Sequence, residues 1–232
     1  MTTIYAIIPA GGIGKRMQSQ KPKQFLAIDD KPIIIVTLAK LISTGLIKKF
    51  IIPTVDIVYT KKIIKSEFPD LDFIICKSGK SRQDSIQNAI LEIKALEEKA
   101  DLILIHDAVR PLIKKTTIEQ VVKKALETGA AVAGRPVSDT LKLAFNRDGE
   151  NIIKKNVSRD SMWHTQTPQV YHSQIFFDAY QKALEDHFEG TDSAGLVERI
   201  NKDVYLVESP QSNIKITTPD DLELAKILAP YT

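Results

Sequence analysis

The sequence predicts an α/β fold: a three-layer sandwich with a mostly parallel sheet, helices on both of its faces, and a projecting β-hairpin arm. Short, nearly continuous apolar runs such as "TIYAIIP" (3–9) and "DLILIH" (101–106) are typical of strands buried on both faces. Longer segments with apolar residues at helical spacing alternate with these runs, which favours parallel strands joined by helices. After Val137 the alternation stops, and the turn signal "NRDGEN" stands between two short mixed runs.

The predicted elements follow in order along the chain. Apolar, β-branched runs predict strands at 3–9, 48–53, 71–76, 101–106, 130–137, 203–209 and 213–217. Apolar spacing predicts helices at 33–44, near 60–67, at 82–98, near 116–128, at 173–188, near 193–200 and from 219 onward. Gly45 is the expected C-cap of the first helix. Thr218 is the expected N-cap of the last helix, with Pro219 at its first position.

Residues 138–160 form the predicted hairpin arm. This segment carries little apolar content of its own, so it needs another surface to pack on, and a second subunit is one candidate. No linker or internal repeat divides the remaining chain. We therefore expect a single domain over residues 1–232 with the arm projecting from it.

Composition narrows the class of protein. The chain has 32 basic and 29 acidic residues, a balance that argues against a nucleic-acid-binding role. It contains no apolar run long enough for a membrane span and no signal-peptide pattern at its N-terminus, so we expect a cytoplasmic protein. Its one cysteine, Cys76, lies in the run "FIIC" and is expected to be a buried thiol.

The first predicted strand is followed by a glycine-rich, basic stretch, "PAGGIGKRM" (9–17) and "KPKQFL" (21–26). It does not match the GxxxxGK[ST] phosphate loop, and Met17 occupies the third glycine position of the GxGxxG dinucleotide loop. Glycines at a strand end still let a backbone approach an anion, and Arg16 and Lys23 can add positive charge. A glycine-rich turn with solvated lysines explains the same spacing.

Three further segments carry candidate site residues. Ser85 lies at a loop-to-helix junction in "GKSRQDS" (79–85), where a hydroxyl can either read a base or ribose or belong to a helix cap. Asp107 follows the strand 101–106 in "HDAVRP" and can bind Mg²⁺ beside phosphates or pair with Arg110. Lys215 lies in the predicted strand "NIKIT" (213–217). The four histidines show no metal-binding spacing, and none is assigned a catalytic role.

Taken together, these segments resemble a known family. The A-G-G-x-G-x-R-M and P-K-Q-F-L segments are similar to the nucleotidyltransferase signature. The motifs "PAGGIGKRM", "KPKQFL", "GKSRQDS", "HDAVRP", "PVSDTLK", "SRDSMWHTQTPQ", "TDSAGLVE" and "NIKITTPDDL" occur in the order and spacing of the 2-C-methyl-D-erythritol 4-phosphate cytidylyltransferases. The resemblance runs from residue 4 to about residue 228.

The resemblance implies a Rossmann-like fold, a homodimer formed through the arm, and a set of site residues. Arg16, Lys23 and Lys215 would be catalytic and stabilise the triphosphate of CTP. Asp107 would help to hold Mg²⁺. The residues implied in nucleotide binding are Ala10, Gly11, Gly12, Gly14, Gly79, Ser85 and Ala108. The residues implied in binding the sugar-alcohol phosphate are Thr140 and Arg159, acting in the partner subunit's site, and Thr167 nearby.

The implied reaction needs no general base, because the substrate phosphate is already an anion that can attack the α-phosphorus of CTP. Two alternatives remain open from the sequence. A ribitol-5-phosphate cytidylyltransferase of teichoic acid synthesis is related, although "DTLK" and "WHTQTPQ" favour the erythritol-phosphate enzymes. A non-catalytic regulator that only binds nucleotide would share the fold, but the intact Arg16, Lys23, Asp107 and Lys215 argue against it.

Overall fold

The computed structural model describes residues 2–12, 14–17 and 19–231. Its strands are β1 (Ile4–Ile7), β2 (Ala27–Ile28), β3 (Lys31–Pro32), β4 (Ile47–Thr54), β5 (Phe73–Lys77), β6 (Leu102–Ile105), β7 (Ala130–Pro136), β8 (Leu141–Arg147), β9 (Glu150–Val157), β10 (Trp163–His172) and β11 (Tyr205–Glu208). Its α-helices are α1 (Ile33–Ile42), α2 (Ile57–Glu67), α3 (Arg82–Lys94), α4 (Lys115–Thr128), α5 (Ser173–Glu185), α6 (Ser193–Arg199) and α7 (Pro219–Leu228). Among the residues described, no helix is both long and apolar enough to cross a membrane.

One mixed sheet forms the middle layer. Seven strands lie in the order β11-β7-β10-β6-β1-β4-β5. Strands β6, β1, β4 and β5 are mutually parallel, as are β11 and β7, whereas β10 runs antiparallel to both of its neighbours. The predicted α/β class and mostly parallel sheet are confirmed.

The two faces of this sheet are covered by separate hydrophobic clusters. Along β1, Ile4 and Ala6 belong to one cluster, while Tyr5 and Ile7 belong to the other. This alternation follows from the two-residue period of a strand. The first cluster packs against α1, α2 and α4, and the second packs against α3, α5 and α6. The result is the predicted three-layer sandwich.

Two of the sequence predictions about strands are wrong. Strand β10 was not predicted, although it lies near the middle of the sheet, because its segment "WHTQTPQ" is polar and contains Pro168. The segment 213–217 was predicted as a strand but joins no sheet. In this segment the buried residues are Asn213 and Ile216, which are three positions apart and therefore do not follow the two-residue period of a strand.

The ends of several helices also differ from the predicted ones. Helix α2 begins at Ile57, α3 ends at Lys94 and α5 ends at Glu185. The expected start of α7 is confirmed, since Thr218 and Asp221 form a capping box there.

The arm is a two-stranded antiparallel sheet made of β8 and β9. Asp148 and Gly149 form its turn with positive φ angles of 53° and 88°, as a tight hairpin requires. Apolar side chains on the arm are exposed, and Ile153 reaches 62% exposure. The hairpin prediction is therefore confirmed, and the arm leaves apolar surface in contact with solvent.

Candidate active site

A cleft of about 470 Å³ opens where β1, β5 and β6 end. In parallel sheets ligands bind at this carboxyl edge, because the loops that follow the strands converge there. The cleft brings together nine of the predicted site residues: Gly11, Gly12, Gly14, Arg16, Lys23, Gly79, Ser85, Asp107 and Lys215. Ala10 and Ala108 are buried immediately beside lining residues.

Two positions of the glycine-rich loop after β1, Gly11 and Gly14, do not accommodate a larger residue without strain. A Cβ atom on Gly11 would lie 2.5 Å from Cβ of Ser78 and 3.2 Å from Oγ of Ser85. Gly14 has a φ of +66°, and the side chain of Lys23 packs against it. The Ala10 carbonyl accepts a 2.6 Å hydrogen bond from Nε2 of Gln24, which fixes the loop against the "KPKQFL" segment. Gly11 and Gly14 therefore bring the backbone, and not a side chain, to the lining of the cleft.

The second loop, 78–82, leads into α3. The backbone N–H of Gly79 donates to Oγ of Ser85 at 3.0 Å, and that hydroxyl donates to the Ser81 carbonyl at 2.9 Å. Ser81 and Asp84 form a capping box at the start of the helix. The Ser85 hydroxyl is therefore engaged within the chain while it also lines the cleft.

Asp107 is the centre of a cluster of charged groups. Its Oδ1 lies 3.1 Å from Nε of Arg82, and its Oδ2 lies 3.0 Å from Nζ of Lys215 and 3.4 Å from Nε of Arg110. Burial alone would raise the pKa of this carboxyl, but Arg82, Lys215 and Arg110 hold the pKa well below its usual range. Asp107 is therefore a carboxylate, and the predicted pairing with Arg110 is present.

Lys23 lies in a crowded positive environment. Burial, together with the nearby positive charges of Lys215 and Arg16, lowers its pKa from 10.5 to about 8, while the carboxylate of Asp107 acts in the opposite direction. Its Nζ donates to the Ile216 carbonyl at 3.2 Å. The described lining of the cleft holds five cationic side chains and one carboxylate, that of Asp107, so the cleft is suited to a polyanion.

A divalent metal fits this site only together with a ligand. In the described part of the chain, no group of three or more histidine, cysteine, aspartate and glutamate residues lies close enough to hold a metal. Both Asp107 oxygens face cationic groups. Mg²⁺ is commonly held by one or two carboxylates together with phosphate oxygens, so Asp107 fits such a site when a phosphate ligand supplies the remaining oxygens.

Thr167 lies behind Asp107 and not in the cleft lining. Its hydroxyl accepts from the Asp107 N–H at 3.1 Å and lies 3.1 Å from Nδ1 of His106. The other ring nitrogen of His106 faces the Arg110 carbonyl at 3.1 Å. Because a carbonyl can only accept, Nε2 carries the proton and Nδ1 accepts from Thr167. Burial lowers the pKa of His106 to about 4, so the ring is neutral.

Thr140 and Arg159 lie outside the cleft. Both are exposed at the base of the arm, and the guanidinium of Arg159 donates to the Ser138 carbonyl. The structure does not bring them to the cleft of their own chain.

Sequence analysis missed some residues of the site. Arg82, Lys80 and Thr217 line the cleft but are not among the predicted site residues, although Arg82 and Lys80 lie within the quoted motif "GKSRQDS" beside Ser85. A second cavity of about 610 Å³ shares Lys215 with the cleft and is also lined by Arg110, Arg135 and His164. Neither Arg135 nor His164 was selected from the sequence.

Comparisons with known proteins agree with this geometry. The family model IspD, 2-C-methyl-D-erythritol 4-phosphate cytidylyltransferase, matches residues 4–229. A protein of Syntrophus aciditrophicus with that enzyme's name is 40% identical over 227 residues, which cover 96% of this chain and 94% of the relative. A relative of the same name from Syntrophotalea carbinolica is 37% identical over 228 residues, covering 97% of this chain and 95% of its own.

A solved structure of the Francisella tularensis 2-C-methyl-D-erythritol 4-phosphate cytidylyltransferase superposes with a TM-score of 0.81 at 26% identity, covering 97% of this chain and 99% of that chain. The family match spans every segment that lines the cleft. The chain belongs to the 2-C-methyl-D-erythritol 4-phosphate cytidylyltransferase family.

Proposed function

We propose that this protein transfers the cytidylyl group of CTP to 2-C-methyl-D-erythritol 4-phosphate and releases pyrophosphate, a step of non-mevalonate isoprenoid synthesis. The observation that carries this proposal is the convergence of the glycine loop with Arg16, Lys23 and Lys215 in one cleft of a chain matched by the family model over 226 consecutive positions, 4–229. The names of the relatives favour methylerythritol phosphate over ribitol phosphate as the acceptor.

The chemistry follows from the charges in the cleft. A phosphate oxygen of the acceptor attacks the α-phosphorus of CTP, a new P–O bond forms, and the bond from that phosphorus to the oxygen bridging the β-phosphate breaks. Pyrophosphate leaves with the electron pair, and no proton has to be removed. Arg16, Lys23 and Lys215 act by positioning both anions and stabilising the charge that develops on the phosphates.

Mg²⁺ would be held by Asp107 together with phosphate oxygens, and it would supply further positive charge beside them. In the structure, Nζ of Lys215 lies 3.0 Å from Oδ2 of Asp107. Its side chain is 37% exposed, so it can turn from Asp107 towards a bound phosphate.

The cytidine would lie against the two glycine-containing loops. The segments Ala10–Gly12, Gly14, Gly79 and Ser85 offer close backbone approach around the cleft, and Ala108 lies beneath it. Recognition of the cytidine by the backbone of these segments is the basis of the proposed preference for CTP.

We further propose that the chain acts as a homodimer through the arm. Exposed apolar residues on β8 and β9, including Phe145 and Ile153, need a surface to cover them. Thr140 and Arg159 are exposed and lie outside the cleft of their own chain. This position supports a role for them at the sugar phosphate of the partner subunit, beside Thr167 and the cavity that Lys215 also lines.

A pyrophosphate-release assay tests the function, with CTP and Mg²⁺ supplied together with either 2-C-methyl-D-erythritol 4-phosphate or ribitol 5-phosphate. We expect release with the first acceptor and little with the second. Lys23→Ala should lose most turnover and keep the fold. Lys21→Ala is the matched control, because Lys21 is exposed and absent from the cleft lining. Activity with ribitol 5-phosphate alone, or near-normal turnover of Lys23→Ala, would overturn the proposal.

A further inference from the structure

Lys215 lies in a segment that follows β11 and joins no sheet. An unpaired segment has no strand ladder to hold it, so other contacts must set the position of the lysine. Ile216 supplies one contact, because its N–H donates to the Val109 carbonyl at 2.9 Å. The Ile216 carbonyl accepts a further hydrogen bond from Nζ of Lys23 at 3.2 Å. Asn213, two residues before Lys215, supplies additional contacts and is 0% exposed.

The side-chain amide of Asn213 connects separate parts of the chain. Its Nδ2 lies 2.9 Å from the Thr167 carbonyl, 3.0 Å from Oε1 of Gln166 and 3.1 Å from Oγ of Ser209. Because the Thr167 carbonyl can only accept, the atom facing it must be the donor nitrogen. The main-chain carbonyl of Asn213 also accepts a 2.8 Å hydrogen bond from Nη1 of Arg110.

These contacts lead directly to the charged cluster. Arg110 and Lys215 both approach Oδ2 of Asp107, at 3.4 Å and 3.0 Å. Asn213 thus holds the start of the segment that carries Lys215 against β10 and against Arg110, which also approaches Oδ2 of Asp107. Its own Oδ1 is buried with no hydrogen-bond partner among the described residues. An unpaired buried acceptor costs stability, so stability alone does not explain an asparagine here.

We propose that Asn213 is a positioning residue that holds Lys215 at the distance at which it serves both Asp107 and the phosphates. The proposal rests on the proposed function, since it requires Lys215 to act on the substrates. A loss of the amide would let the segment shift, and a misplacement of about 1 Å can cost about 100-fold in rate.

A double-mutant cycle in turnover tests the proposal, using Asn213→Ala, Lys215→Ala and the combined variant. We expect Asn213→Ala to lower kcat by about 10- to 100-fold. In the Lys215→Ala background the same change should alter kcat by less than about twofold, because the residue it positions is already gone. Val121→Ala, which truncates a buried side chain of α4, is the control: it should lower the melting temperature without lowering kcat.

The outcomes separate the two proposals. If Asn213→Ala lowers kcat by the same factor in both backgrounds, or leaves kcat unchanged, the positioning role is wrong while the proposed function stands. If Lys215→Ala keeps wild-type turnover, the role of Lys215 in the proposed function is wrong, and the positioning role with it. If Asn213→Ala does not fold, Asn213→Ser, which retains one hydrogen-bond donor, replaces it in the same double-mutant cycle. The same non-additive effect on kcat is expected, and additive losses of kcat would contradict the positioning role.

Discussion

The lowered pKa of Lys23 makes turnover depend on pH in a defined window. The pKa is about 8 instead of 10.5, because the ammonium group is partly buried beside Lys215 and Arg16. The charged fraction of Lys23 then falls from roughly nine-tenths at pH 7 to roughly one-tenth at pH 9. Since the charged form is the one that binds a triphosphate, kcat/KM for CTP should fall about tenfold between these pH values.

The assay is initial-rate pyrophosphate release at low CTP, measured from pH 6.5 to pH 10. The parameter kcat/KM reports the free protein, whereas bound phosphates raise the pKa of Lys23, so kcat should decline at higher pH than kcat/KM. Lys23→Arg keeps the charge throughout this range, and its residual activity should lose the decline near pH 8. A kcat/KM that stays flat to pH 10 in the wild-type protein, or the same decline in Lys23→Arg, would refute the assigned role.

Three further predictions concern the arm, the second loop and the buried histidine. Arg159→Ala should raise KM for the sugar phosphate by about 10- to 100-fold, because a charged hydrogen bond is lost, and should leave KM for CTP nearly unchanged. A rise confined to KM for CTP would contradict the proposed role of the arm. Gly79→Ala should raise KM for CTP about tenfold, because its Cβ would lie 2.1 Å from Cβ of Asp84, while Gly195→Ala, which meets only Oδ1 of Asp192 at 3.6 Å, should not. The pKa of His106 is about 4 in the folded protein, so the unfolded chain binds a proton at this histidine at higher pH than the folded chain does. The free energy of unfolding should therefore fall by about 2 kcal/mol between pH 7 and pH 5. Urea titrations at several pH values should show a smaller fall in His106→Gln.

The cleft could be anticipated because most of its parts are local. The glycine loop and Asp107 each follow an apolar run, and parallel strands place such positions at one edge of the sheet. Thr218 and Pro219 likewise predict the start of α7. Each of these signals needs only a few consecutive residues, so a single sequence carries it.

The features that sequence analysis missed depend on partners far along the chain. Buried polar residues in β10 are paired across long distances: Gln169 donates to Asp192 at 2.9 Å, and Thr167 contacts His106. A polar run of this kind has no strand period, so β10 could not be predicted. The contact between Arg82 and Asp107 spans 25 residues and likewise leaves no local pattern.

The most direct test of the proposed reaction is to follow it by ³¹P NMR with CTP, Mg²⁺ and 2-C-methyl-D-erythritol 4-phosphate. The account predicts that the acceptor's phosphate signal is replaced by the paired signals of a new diphosphate, formed together with an equal amount of pyrophosphate. It also predicts that Lys23→Ala forms that product much more slowly. Conversion of CTP to CMP with the acceptor unchanged, or no consumption of CTP, would contradict the proposed transfer.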